Sequence, residues 1–423
     1  MFAGTSLYLA AAENRRTANA KLSADQPVVT EALTQMSPNC AESSHIPFNR
    51  PYMTGREMTY ITQAHLNGHL SGDGPFTSQC HQWLAANAGS VKALLTHSCT
   101  AALEMAALLL DIRPGDEVIL PSYTFVSTAN AFVLRGATPV FVDIRADTLN
   151  LNEQLVEGAL TSRTRAIIPV HYAGVGCDMD ALMAIADRAD VKVVEDAAQG
   201  VMATYKGRAL GSIGHLGAYS FHETKNVICG EGGALLVNDG RYANDAEIIR
   251  EKGTDRKQFS RGEIDKYTWQ MPGSSFLPSE LTAAFLWAQL EEAAELTAKR
   301  LTIWNRYHAL LEDAQKAGEL RRPTVPVECE HNAHMYYVLL ADDVDRHAVL
   351  EKLKIAGVNA VFHYVPLHSS PFGLQCGRKS GDLSVTNSLS GRIIRLPMWI
   401  GLDLTLQHRV VAELRTAIAQ ARR

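Results

Sequence analysis

No uninterrupted apolar run approaches the roughly 20 residues that a membrane-spanning helix requires, so the sequence excludes insertion by such a helix. Paired cysteines are missing too. The seven cysteines (40, 80, 99, 177, 229, 329 and 376) are odd in number and never form C-x-x-C. That excludes a disulfide frame and a thiolate zinc site, and points to a reducing, cytoplasmic setting. Positive charge is not in excess: the net charge is −5 and no basic stripe is present, which excludes nucleic acid as a partner. No histidine–carboxylate spacing suggests a metal. There is no internal repeat and no low-complexity tract.

The 423 residues, 46% hydrophobic and 20% charged, are ordinary for a soluble globular chain with more than one core. Residues 1–45 differ from the rest. They are rich in Ala, Asn, Thr and Ser, and the short apolar stretch Leu7–Ala12 precedes Arg15-Arg16. A secretory signal has the opposite order, so this segment reads as a poorly ordered extension. From Ile46 onward apolar strands alternate with helices. Strands are expected at Ala93–Thr96, Glu117–Pro121, Pro139–Ile144, Ala166–Tyr172, Val191–Glu195, Ala218–His222 and Gly233–Asn238, with helices at Thr100–Leu110, Phe125–Arg135, Met179–Ala189 and Asn244–Lys252. This is an α/β pattern: a mainly parallel sheet covered on both faces. Residues 46–290 read as a large domain. Residues 291–423 read as a connector helix and a smaller α+β domain, with one break in the helical stretch from Ser279 to Ala317. A strand at Met335–Leu340, a helix at Arg346–Ala356 and a strand at Ala360–Val365 belong to the smaller domain.

In such sheets ligands collect beyond the C-terminal strand ends. Asp196 stands at one such end, in Val193-Val194-Glu195-Asp196-Ala197-Ala198-Gln199. Downstream, Lys225 lies in Ser220-Phe221-His222-Glu223-Thr224-Lys225-Asn226, before Gly230, Gly232 and Gly233. A buried lysine has a lowered pKa and a nucleophilic amine. With a buried acid it forms the pair that pyridoxal phosphate (PLP) chemistry needs: the amine forms a Schiff base with the aldehyde, and the acid keeps the pyridine nitrogen protonated. Asp196 could instead cap a helix. Gln199 is either a donor to the cofactor ring oxygen or a surface amide. Ser98-Cys99-Thr100-Ala101 opens a helix after a strand, which makes an anion site or a plain N-cap. Ser220 offers a second hydroxyl to the same phosphate, and Phe125 either stacks on the pyridine or joins the core. Val170 to Gly176 invites a dinucleotide-binding reading, but Met179 stands where the third glycine is required. His222, His363 and His368 are ligands, acid–base groups or structural residues.

These residues match a family. SCTAALEMAAL at 98–108, PGDEVILPSYTFVSTANA at 114–131, GATPVFVDI at 136–144, VEDAAQ at 194–199, and SFHETKN with GEGG at 220–233 resemble the PLP-dependent sugar aminotransferases of the DegT/DnrJ/EryC1/StrS family. The resemblance runs from about Ile46 to the C-terminus. It implies the fold-type-I aminotransferase fold, with Lys225 as the Schiff-base lysine and Asp196 as the pyridine partner. It implies Gln199 at the ring oxygen, Phe125 stacked on the ring, and Thr100, Ala101 and Ser220 at the phosphate. Cys99 departs from the glycine common there. Ser275 departs from an asparagine that reaches the neighbouring subunit's phosphate. The family's sugar dehydratases carry histidine in place of the lysine, so Lys225 favours transamination. PVHYAGV, EDAAQGVMATYKGRALG, REKGT, DKYTW and FHYVPLH resemble members that aminate C4 of dTDP-4-dehydro-6-deoxyglucose. That likeness implies a nucleotide-sugar substrate, glutamate as donor, a homodimer, and sugar contacts from His363, Tyr364 and His368.

Overall fold

The computed structural model describes residues 45–422. The expected extension, His45 apart, lies outside them. Two helices, α1 (Glu57–Asn67) and α2 (Pro75–Ala88), precede a strand–helix alternation. It runs β1 (Lys92–Thr96), α3 (Cys99–Leu109), β2 (Glu117–Pro121), α4 (Val126–Val133), β3 (Thr138–Val142), β4 (Thr164–Ile167), α5 (Met179–Ala189), β5 (Lys192–Asp196), β6 (Leu216–Ser220), β7 (Gly233–Val237) and α6 (Ala243–Arg250). Then come α7 (Glu280–Glu291), α8 (Ala293–Leu310), β8 (Leu320–Arg321), β9 (Tyr336–Leu340), α9 (Arg346–Ile355), β10 (Arg378–Lys379), β11 (Ile393–Leu396) and α10 (Leu404–Ala421).

The main sheet has eight strands in the order β1-β7-β6-β5-β4-β2-β3-β10. Its strands are apolar on both sides because both faces are covered. Val193 of β5 packs with Leu84, Leu182 and Leu286 from α2, α5 and α7. The next residue, Val194, turns to the other face, with Leu103, Phe132 and Ile249 from α3, α4 and α6. Each such side chain taken fully out of water contributes about 1.5–3 kcal/mol. Only β7 runs antiparallel to its neighbours β1 and β6. The β6–β7 connection contains no helix to carry the chain back to the starting edge, so the strand must reverse. That reversal holds Lys225 beyond the C-terminal end of β6, next to the end of β5.

Three expectations are corrected. The strand expected over Ala166–Tyr172 ends at Ile167: Pro169 has no amide to donate to the ladder, and only a Val170–Asp196 bridge continues it. The helical stretch after Ser279 breaks twice, at Glu292 and Leu311, where ψ rises to 6° in both. The strand expected over Ala360–Val365 shrinks to one bridge between Val361 and Arg395, because His363 leaves the ladder to bond Tyr172. In the three-stranded sheet β8-β9-β11, neighbouring strands are antiparallel. Its core joins Ile303, Trp304 and Tyr307 of α8 to Leu353 of α9 and Leu414 and Ile418 of α10.

Candidate active site

A cavity of about 500 Å³ lies beyond the C-terminal ends of β5 and β6, between the start of α3 and β11. Strand ends leave backbone groups free of the ladder, and this is where open α/β sheets bind ligands.

Lys225 lines this cavity. Its turn is set by backbone bonds: Phe221 N donates to Gly232 O at 2.8 Å, Glu223 N to Gly230 O at 2.9 Å, and Lys225 N to His222 O at 2.8 Å. Gly230 sits at φ 81°, in the left-handed region that glycine adopts without strain. The neighbouring Asn226 donates through Nδ2 to Asn332 O at 2.7 Å. Burial pulls the Lys225 amine below the ordinary lysine value; Cys99 and Asp196 oppose the shift, and Arg395 adds to it. The result is a larger neutral, nucleophilic fraction.

Asp196 is held from several directions. Thr128 Oγ1 donates to its Oδ2 at 2.7 Å, and Thr124 and Thr128 hydroxyls lie 2.8 Å apart. Ala198 N donates to Oδ1 at 3.1 Å. On the main chain, Asp196 N donates to Pro169 O and His171 N donates to Asp196 O. The preceding Glu195 turns the other way and is fully buried. It faces His171 Nε2 at 2.8 Å and accepts amides of Gly211, Ile213 and Gly214. His171 Nδ1 accepts the Cys177 amide, so Nε2 carries the proton toward Glu195. One carboxylate thus ties down the scaffold, and the other is presented to the cavity.

The start of α3 forms a second anchor. Ser98 caps the helix, its hydroxyl accepting Ala101 N at 3.1 Å, so the N-cap expectation holds. Gly233 lets β7 lie against this terminus. A Cβ there would stand 2.4 Å from both Cys99 N and Ser98 C. Thr100 lines the cavity, with its hydroxyl on Ser127 Oγ at 2.8 Å. Ser220 also lines it, whereas Ala101 is buried behind.

Elsewhere in the cavity lining, Gln199 Oε1 accepts Ala173 N at 2.7 Å and its Nε2 donates to Tyr364 Oη at 3.1 Å. His363 stacks on Tyr364 with centroids 3.6 Å apart, and its Nδ1 pairs with Tyr172 Oη at 2.7 Å. Burial holds the His363 ring well below its usual pKa and raises the Tyr364 phenol, so both are neutral. Phe125 precedes α4 and is 55% exposed at the cavity wall, a large aromatic face left bare. His368 does not line the cavity. Its Nδ1 lies 2.6 Å from Ser122 Oγ, and its amide donates to the same hydroxyl. Ser275 is exposed, bridges to Glu251, and does not line the cavity of its own chain.

Several lining residues carry no sequence signal of their own. His334 Nδ1 meets Asn226 Oδ1 at 3.0 Å, and burial keeps its ring neutral. Arg300 donates to the carbonyls of Ala333 and His334. Arg395 arrives from β11, over the ring of Phe48 at 4.8 Å. Thr128, which braces Asp196 from behind, likewise carries no sequence signal of its own.

These groups fit pyridoxal phosphate: a buried amine, a braced carboxylate, a helix start closed on by a glycine strand, and a bare aromatic face. When bound, the cofactor supplies an electron sink conjugated to the reacting carbon.

The chain is 35% identical over 363 residues to the spore coat polysaccharide biosynthesis protein SpsC of Bacillus subtilis, covering 84% of this chain and 92% of that protein. Spr1654 from Streptococcus pneumoniae, described as a sugar aminotransferase and solved in PMP and PLP forms, superposes with TM-scores of 0.83 and 0.82 at 26% identity; both cover 89% of this chain. They cover 100% and 99% of Spr1654. An aminotransferase from Psychrobacter cryohalolentis superposes with a TM-score of 0.82 at 28% identity, covering 89% of this chain and all of that one. The family's sequence profile matches residues 51–415. The chain belongs to the DegT/DnrJ/EryC1/StrS aminotransferase family, and its cofactor is pyridoxal phosphate.

Proposed function

We propose that this sugar aminotransferase transfers the amino group of L-glutamate to C4 of dTDP-4-dehydro-6-deoxyglucose. The products are dTDP-4-amino-4,6-dideoxygalactose and 2-oxoglutarate, for bacterial surface-polysaccharide synthesis in the cytoplasm. The observation that carries this reading is Lys225, poised in a cavity of about 500 Å³ with Asp196 beyond it and a wall of neutral rings (His363, Tyr364) suited to a sugar. The sequence runs that resemble 4-keto-sugar aminating enzymes point the same way, as does the polysaccharide role in the name of SpsC.

In this reading Lys225 Nζ holds the cofactor aldehyde. Its free amine would take the proton from the donor's Cα in the first half-reaction and would deliver a proton to C4 of the sugar in the second. Delivery from one face sets the axial amine. Asp196, oriented by Thr128, holds the proton on the pyridine nitrogen. Thr100, Ala101 and Ser220 hold the phosphate, Phe125 covers the ring, and Gln199 with Tyr364 orients the ring oxygen. His363 and Tyr364 meet the sugar; His368, tied to Ser122, supports that wall from behind. Two copies form the working enzyme, each divided into residues 46–290, which bind the cofactor, and a connector with a small domain over 291–423.

Incubation with this nucleotide sugar and glutamate, with NMR of the product, is the test. An axial 4-amine is expected. An equatorial 4-amine refutes the galacto product, and amination at C3 refutes the position. No reaction with any nucleotide-linked keto-sugar refutes the substrate class.

A further inference from the structure

His334 presents a bare imidazole nitrogen to the cavity, and a chain of hydrogen bonds fixes the tautomer that does so. Asn332 is 1% exposed, and its Nδ2 donates to the carbonyls of Gln199 and Val201 at 2.8 and 2.7 Å. Asn332 O in turn accepts Asn226 Nδ2 at 2.7 Å. With its amide nitrogen committed to a carbonyl, Asn226 can offer His334 only Oδ1, which lies 3.0 Å from Nδ1. Nδ1 therefore carries the proton. Burial keeps the ring neutral, and Lys225, Arg300, Arg395 and His363 around it act in the same direction. A neutral ring has one N–H, so Nε2 is left as an acceptor. It has no partner among the described residues, and the ring lines the cavity together with Lys225. The other carboxylate, imidazole and glutamine acceptors on the wall are engaged. Thr128 and the Ala198 amide hold Asp196. Glu231 faces His222 at 3.6 Å, and His222 Nδ1 accepts the Thr224 amide. Gln199 Oε1 accepts Ala173 N, and His363 Nδ1 pairs with Tyr172.

We propose that His334 Nε2 accepts a hydrogen bond from the Lys225 amine whenever that amine is free, and so holds it in place for proton transfer. The inference rests on the reading of Lys225 as the proton carrier and deepens it. Burial and the through-space charges of Cys99, Asp196 and Arg395 act on this amine, and no hydrogen bond of its own holds it. Taking the proton from the donor's Cα turns the amine into an ammonium in a cavity where burial penalises charge. A lone pair on the wall offsets part of that penalty. Because burial also disfavours a charged imidazole, the proton stays on Lys225 and is there to be delivered. The amine gains a proton from carbon, donates one N–H to Nε2, and releases a proton to carbon. Asn226 follows Lys225 directly in the chain, so the bonds that orient the imidazole also hold the lysine turn. His334 acts through Lys225 and is a positioning residue.

The first test uses the cofactor-free protein. Competitive labelling with acetic anhydride across pH, read by mass spectrometry of the Lys225 peptide, gives the pKa of the amine. His334→Phe keeps a ring and removes the acceptor. It should lower that pKa by about one pH unit, the scale of one hydrogen bond to a charged group. His334→Gln, which keeps an acceptor, should lie nearer wild type. In the loaded enzyme, His334→Phe should cut kcat with glutamate about tenfold, change KM less than about threefold, and raise the isotope effect from α-deuterated glutamate. If His334→Phe does not fold, His334→Leu takes its place with the same expectations. An unchanged or raised Lys225 pKa overturns the proposal, as does a loss carried by KM with an unchanged isotope effect; either leaves His334 a structural residue. Wild type inert to every amino acid would sink the proton-carrier reading, while the labelling would still decide whether His334 holds the amine.

Discussion

Thr128 Oγ1 donates to Asp196 Oδ2 at 2.7 Å, and both side chains are buried. A carboxylate that must face a pyridine nitrogen gains from a fixed rotamer, and this hydroxyl fixes it from α4. Thr128→Val keeps the shape and removes the donor. Turnover should fall about tenfold, in line with losing one hydrogen bond to a charged group. Cofactor content should stay near wild type. Steady-state kinetics beside a cofactor assay check this; unchanged turnover would show that the main chain alone orients Asp196.

Asp196→Asn is nearly isosteric and should fold. It should lose about 10²-fold or more in rate, comparable to removing one preorganised electrostatic contact. Wild-type kinetics in this variant would reduce Asp196 to a structural residue.

Lys225→Ala should retain cofactor through the phosphate anchor and Asp196 while losing turnover. Absorbance spectra and cofactor stoichiometry after desalting read the first part, and an amino-transfer assay reads the second. Normal turnover would remove Lys225 from the mechanism.

The depressed Lys225 pKa has a consequence for stability. Between the folded pKa and the ordinary value of 10.5, the unfolded chain binds more protons than the folded one, so stability rises with pH across that window. Below it, cofactor-free wild type carries the full cost of burying the ammonium. Lys225→Met should therefore raise the melting temperature of the cofactor-free protein near neutral pH, and the gain should shrink toward pH 10. A gain independent of pH would assign it to packing.

Gly233→Ala should weaken cofactor binding by about tenfold or more and lower stability by about 1–3 kcal/mol, as overpacking does. The added Cβ meets backbone at Cys99 and Ser98, 2.4 Å away, and backbone cannot swing aside as a flexible side chain can. Equilibrium cofactor titration and thermal melts would decide; wild-type affinity would mean that the start of α3 plays no part in holding the phosphate.

Local chemistry was legible in the sequence. The bounds of β2 and α5 match the pattern of apolar residues and turn signals, because periodicity reports which side of an element is covered. Asp196 and Lys225 could be paired from the chain alone, since each sits at the end of an apolar strand and strand ends in a parallel sheet share one edge. What escaped were contacts between distant segments. The sequence does not say that Pro169 ends β4, that 360–365 gives up its ladder for Tyr172, or that His368 is taken by Ser122. Nor does it bring Thr128 behind Asp196, or carry Arg395 from the second sheet into a cavity built by the first. Those depend on which strands become neighbours and on how closely two surfaces meet. Long-range packing and hydrogen-bond satisfaction decide them, and no residue encodes them in its immediate surroundings.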